Sequence, residues 1–279
     1  MKAVILFILF FVISVYSQET GHFKSQTISL EALNDTSDNF LSNQPFGDKS
    51  NSNFKLSIRT GKILINDHLY KCAIYNTGNE KNYNYSFLWI DTLVNDKYDF
   101  WKDFLEEIWV PFTLFGKSYK VTDVDSSGNY FKVMECDSKE YPPVQVGMKA
   151  PNIEFTSIKN ENISLYAINC KYKVLFFWGC NPIMPAREMK KVINNIRLKD
   201  PNHNIEFINS SWEPFEDDKK GYPWIHFYNR PSDELRQKYQ VGSLHKLFVL
   251  DEENNILLIW RDYPSSGKIT EAIEKIIPL

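Results

Sequence analysis

Four stretches of different hydrophobic pattern follow one another along the chain. The first, MKAVILFILFFVISVYS over residues 1–17, is one lysine and then an apolar run from Ala3 to Val15. That run is short beside the ~20 residues of a bilayer span and suits a secretory h-region. With Val15-Tyr16-Ser17 ahead of Gln18 it predicts a signal peptide and an exported protein, periplasmic or extracellular. No cysteine stands near the cut to take a lipid, so cleavage leaves no membrane anchor; an uncleaved anchor is the alternative. Residues 18–53 are rich in Asn, Ser, Asp and Thr, with too little apolar surface to bury, and read as a polar flexible leader.

From Phe54 the pattern becomes that of short strands. FKLSIRT, KILIND and LYKCAIYN alternate or run apolar, separated by Gly61 and by Asn66-Asp67, a hairpin signal. SFLWID is a further strand, and NDKYDFWKDFLEEIW predicts a helix or an irregular crossing. KSYKVTDV and NYFKVMEC are strands joined by the turn Asp125–Gly128. Residues 54–143 thus predict a β-rich domain. Cys72 and Cys136 each fall in a strand run, and antiparallel neighbours bring Cα atoms to about 5.5 Å, so a disulfide between them is expected.

From Val146 strands alternate with helices. KVLFFW is apolar enough for a strand buried on both faces, and Met189, Val192, Ile193 and Ile196 recur at helical spacing in MPAREMKKVINNIRL. NIEFINSS is a second buried strand, YPWIHFY a loop and ELRQKYQV a helix. LFVLDEENNILLIW is a hairpin and KITEAIEKIIP a closing amphipathic helix. This order predicts an α/β domain with a mixed central sheet over residues 146–279. Its organising element is Lys173–Met189: a buried strand, a turn holding Gly179, Asn181 and Pro182, then a helix N-terminus where unpaired N–H groups collect.

Composition narrows the classes. The chain has 279 residues, 24% charged and with net charge −3, so no polycation points to nucleic acid. Four cysteines, Cys72, Cys136, Cys170 and Cys180, are too few for a disulfide scaffold. Cys170 and Cys180 flank a strand, which holds them roughly 20 Å apart at ~3.3 Å per residue. The cluster Asp91, Asn95, Asp96 and Asp99 lacks the alternation and glycine of a calcium loop. His68, His203 and His226 have no metal-ligand spacing, so no metal and no cofactor is implied.

Phe177-Trp178 and Glu188-Met189 stand at the spacing of the active-site segment of TlpA/ResA-like proteins, a thioredoxin-fold family of thiol-disulfide oxidoreductases. Val146-Gly147, Ala150-Pro151 and Phe155 resemble the entry to that domain. Pro111-Phe112, Gly116-Lys117, Tyr119, Val121, Asp125 and Gly128 resemble the region that precedes it in some members. The resemblance covers about half of the chain. It implies an α/β, thioredoxin-like C-terminal domain with a mixed central sheet, preceded by a β-rich N-terminal domain. It also implies a degenerate active site. In the gapless register the two cysteine positions are Pro182 and Pro185, and His245 replaces the family's cis-proline within Val241–Asp251. Sliding the register makes Cys180 the attacking thiol, with Ile183 where the resolving thiol belongs and Glu188-Met189 out of step.

Two functions follow. One is a non-catalytic binding or scaffold protein whose groove keeps recognition of a protein or peptide partner, lined by Trp178 and Trp224. The other is a one-cysteine thiol oxidoreductase or peroxidase with Cys180 as nucleophile and His245 as its partner. Each residue also has a plainer reading: Cys180 as a small buried residue, His245 as a hydrogen-bonded loop histidine, Trp224 as core. A helix starting at Pro182 puts Cys180 beside the positive end of its dipole, whereas one starting at Pro185 leaves it a turn away.

Overall fold

The computed structural model describes residues 25–32, 57–76, 82–83, 86–94, 104–157, 160–177, 183–211, 225–228, 234–242, 245–261 and 266–277. Residues 1–17, read as a signal peptide, lie outside them.

Its N-terminal half is one antiparallel sheet. The strands are β1 (Ser25–Ala32), β2 (Ser57–Ile65), β3 (His68–Asn76), β4 (Phe87–Ile90), β5 (Phe104–Glu107), β6 (Phe112–Leu114), β7 (Lys117–Val124) and β8 (Tyr130–Glu135). They lie in the order β5-β4-β3-β2-β1-β8-β7-β6. β1 corrects the expectation of a leader over 18–53. Residues 25–29 of β1 pair with β8 and residues 30–32 with β2, so this strand joins the two wings of the sheet. Ile28 and Leu30 alternate into the core, and the Gln26 side-chain amide exchanges hydrogen bonds with the Leu64 backbone, N–H at 3.1 Å and C=O at 2.7 Å. Two inward apolar residues among polar outward ones suffice for a central strand, because its neighbours supply the rest of the core.

Gly61 is not a break. β2 runs through it, opposite Leu30, and a Cβ there would stand 2.6 Å from the Ser29 carbonyl oxygen and 2.8 Å from Leu30 Cδ2. The glycine lets β1 approach. Asn66 and Asp67, with φ of 49° and 63°, make the two-residue turn between β2 and β3. At the β7–β8 turn Gly128 has φ +74°, and a Cβ would meet the Tyr83 ring at 2.6 Å.

Two further expectations change. FLEE is the edge strand β5, paired with β4, rather than part of a helix; residues 95–103 lie outside the described set. Cys72 and Cys136 are free thiols. Sheet order explains it: β3, which holds Cys72, is separated from β8, just before Cys136, by β2 and β1. Three strand spacings of about 4.8 Å exceed what a disulfide spans.

The C-terminal half opens with the hairpin β9 (Glu154–Thr156) and β10 (Asn162–Ser164). It continues through β11 (Tyr172–Phe177), α1 (Ile183–Lys199), β12 (Ile205–Ser211), β13 (Ile225–Tyr228), α2 (Glu234–Lys238), β14 (Lys246–Asp251), β15 (Ile256–Trp260) and α3 (Ser266–Ile276). The sheet order is β13-β12-β11-β14-β15, parallel from β13 to β11 and antiparallel from there to β15. This mixed sheet is a thioredoxin-like α/β fold. Residues 225–228, IHFY, expected as a loop, are the parallel edge strand β13.

β11 is buried on both faces, as its run of apolar residues predicts. Val174 and Phe176 pack with Met189, Val192, Ile193 and Ile196 of α1 and with Ile269 and Ile273 of α3. Leu175 and Phe177 pack on the other face with Tyr239, Phe248 and Phe155. Glu188, in the first half of α1, accepts the Ser266 N–H at 3.0 Å at the start of α3. Its bonds to Lys191 and Ser266 hold the carboxyl down to about 2.

Candidate functional site

A central parallel strand followed by a helix directs attention to the carboxyl end of β11. Trp178, Cys180, Pro182 and Trp224 lie outside the described residues. Pro185 is the third residue of α1, within the first turn, where a missing N–H breaks no helical bond. The described part of α1 begins at Ile183, and Pro182, the earlier of the two expected starts, lies outside it. Among the described residues no peptide bond is cis, and no group of three or more His, Cys, Asp or Glu side chains could hold a metal.

His245 is described, whereas Cys180 and Pro182, which the resemblance sets near it, are not. β14 begins one residue later, antiparallel to β11, and Lys246 is opposite Phe177. The imidazole stacks on Phe176 with centroids 6.4 Å apart and planes 27° apart. Burial, and then the charge of Arg236, push its pKa down to about 4. At neutral pH the ring is uncharged, since protonation would put a second cation into a desolvated place beside Arg236.

Among the described residues, Arg236 and Lys246 are positive groups at this end, and sequence reading singled out neither. Arg236 is fully buried in α2, lies 5.9 Å over the Phe177 ring and donates Nη1 to the Gly242 carbonyl at 3.2 Å. Lys246 is buried and donates Nζ to the Gln240 carbonyl. Tyr239 donates its hydroxyl to the Pro151 carbonyl at 2.8 Å, and its ring lies tilted against Phe177 and edge-on to Phe248. Burial raises its phenol pKa well above the ordinary value. ELRQKYQV reads as a polar helix because nothing local marks Arg236 for burial. The one hint is that Arg236 and Tyr239 are three apart, on the same side of a helix.

On the α1 face Asn209 of β12 is opposite Phe176. It is 5% exposed, and both its amide nitrogen and oxygen are buried without a hydrogen-bond partner among the described residues. It lines a cavity of about 10 Å³ with Phe176, Met189 and Ile193. Asn209-Ser210-Ser211 has the N-x-S/T pattern of a glycosylation acceptor, and the burial of Asn209 closes it to modification in the folded chain.

No family model matches the chain, and no curated protein does. Solved structures resemble about half of the chain. One is the C-terminal domain of a protein described as a thiol-disulfide oxidoreductase from Bacteroides thetaiotaomicron, 16% identical with a TM-score of 0.40, over 48% of this chain and 96% of that one. Another is the thioredoxin domain of a thiol-disulfide oxidoreductase from Bacteroides vulgatus, 18% identical with a TM-score of 0.38, over 47% and 96%. A third is a thioredoxin-like protein from Bacteroides caccae, 20% identical with a TM-score of 0.38, over 47% of this chain and 50% of that one. At such identities and TM-scores the likenesses transfer no activity; the thioredoxin-like fold is carried by the sheet's own order and directions.

Proposed function

We propose that the protein is an exported thioredoxin-fold protein of the TlpA/ResA type that has lost its chemistry and serves as a non-catalytic binding or scaffold protein for a protein or peptide partner. The observation that carries this reading is the pair of prolines. With Phe177-Trp178 and Glu188-Met189 in register, Pro182 and Pro185 stand where two thiols would be. Dithiol exchange needs one thiolate to attack and a second thiol to resolve the mixed disulfide, and a proline does neither. His245 adds support: an imidazole neutral at pH 7 supplies no charge to hold a thiolate. Export rests on the pattern of residues 1–17. Among the described residues no helix is long and apolar enough to cross a membrane.

A one-cysteine oxidoreductase or peroxidase is the second reading, favoured by the place of Cys180 three residues ahead of α1. Alkylation of the native protein separates the two. Burial pushes the Cys136 thiol up to about 11 and raises Cys72 and Cys170 as well, so these three react slowly at pH 7. A fast reaction therefore reports Cys180. The expected result is no fast thiol until the protein unfolds. A thiol with an apparent pKa well below ~8.5 that disappears in Cys180→Ser would contradict it.

A further inference from the structure

The β domain reaches the strand entry that carries His245. Thr113 of β6 and Ser118 of β7 are cross-strand partners, both buried, with their hydroxyl oxygens 3.3 Å apart. Gln240, in the turn after α2, donates Nε2 to Thr113 Oγ1 at 2.7 Å and to Ser118 Oγ at 3.2 Å. Thr113 Oγ1 also accepts the Val144 N–H at 2.8 Å, where the chain passes from one domain to the other. With two donors on its oxygen, the Thr113 hydroxyl has its own proton left to give, and Ser118 Oγ is the acceptor in reach.

The other end of Gln240 faces the site. Its carbonyl accepts Lys246 Nζ, and Lys246 follows His245 at the start of β14. Gln240 has φ 55°, a left-handed conformation that a long side chain rarely adopts and that persists where the surroundings fix it. Here the side-chain amide and the carbonyl are each held, one by the β domain and the other by β14.

We infer that Gln240 is a positioning residue through which the β6–β7 hairpin of the β domain sets the place of the His245–Lys246 strand entry against Phe176. This rests on the proposed binding function, with the partner seated at the carboxyl end of β11 beside that entry. It makes the β domain part of the edge's construction: a partner at the carboxyl end of β11 meets a loop anchored from both domains. Three links carry it: the two hydroxyls on Nε2, the lysine on the carbonyl, and the stacking of His245 on Phe176. The named neighbours of the imidazole are Phe176, the guanidinium of Arg236 and, next in the chain, Lys246.

His245 reports the coupling in the full chain by NMR titration of its ring. In the wild type the ring stays neutral down to about pH 4. Thr113→Val with Ser118→Ala removes both hydroxyls at nearly constant volume, whereas Thr113→Ser keeps both. If the hairpin sets the loop, the double variant admits water to His245, and its proton affinity rises tenfold or more toward the ordinary midpoint of about 6.5. Thr113→Ser should titrate like the wild type. A folded double variant with an unmoved midpoint would overturn the inference. If the double variant does not fold, hydrogen exchange on the wild type decides. Amides of β7 and of Lys246–Leu247 should open together, and independent opening of the β14 entry would count against it. Neither readout involves a partner, so failure here leaves the binding reading standing, and failure to bind a partner leaves the coupling standing.

Discussion

A chain that begins at residue 33 is expected to have no cooperatively folded β domain, whereas one that begins at residue 23 should melt like the full chain. The difference is β1. It pairs with β8 through one part and with β2 through the other, so its loss leaves two separate antiparallel pieces with open inner edges. Ile28 and Leu30 bury side chains worth about 1.5–3 kcal/mol each, and each ladder hydrogen bond adds about 1 kcal/mol net. The sum is comparable to the ~5–15 kcal/mol stability of a whole domain. Two-dimensional amide NMR of the two truncations makes the comparison. Dispersed β-domain resonances in the shorter chain would show that β1 is dispensable.

Phe177→Ala should be the most damaging single substitution at the carboxyl end of β11. The ring is fully buried, lies 5.2 Å from Tyr239 and 5.9 Å edge-on from Phe248, and lies beneath the Arg236 guanidinium. Truncation removes its transfer energy and leaves a cavity among aromatic rings that cannot easily collapse, together about 3–5 kcal/mol. For a domain of the size of residues 146–279 that lowers Tm by roughly 10 °C or more. Arg236 also loses its stacking partner, so a conservative Phe177→Leu, which fills part of the volume, should recover part of the loss. A melting temperature within about 2 °C of the wild type would mean that Phe177 is not the wedge between β11 and α2 that its contacts indicate.

What the sequence reveals and what it hides divide along locality. β11 and α1 are legible because their apolar residues follow each element's own period, and the Asn66-Asp67 and Asp125–Gly128 turns because their residue types suit the backbone they adopt. β1 is hidden: two apolar residues in a polar segment identify a strand only once β2 and β8 are beside it. Gly61 looks like a break and is a point of close approach, a distinction that depends on Ser29 and Leu30 far away in sequence. The expected Cys72–Cys136 bond fails for the same reason, since strand order is not written in the strand pattern. At the site, the resemblance singles out His245 but says nothing of its stacking on Phe176. The burial of Arg236 and the reach of Gln240 to Thr113, 127 residues away, are tertiary facts with no local signal.

Turnover of a generic disulfide substrate by the full chain, with a dithiol reductant in excess, tests the non-catalytic reading most directly. Pro182 and Pro185 leave no pair of thiols to cycle, so the rate should equal that of the reductant alone, and Cys180→Ser should change nothing. Reduction that clearly exceeds the reductant alone, and that disappears in Cys180→Ser, would contradict the account.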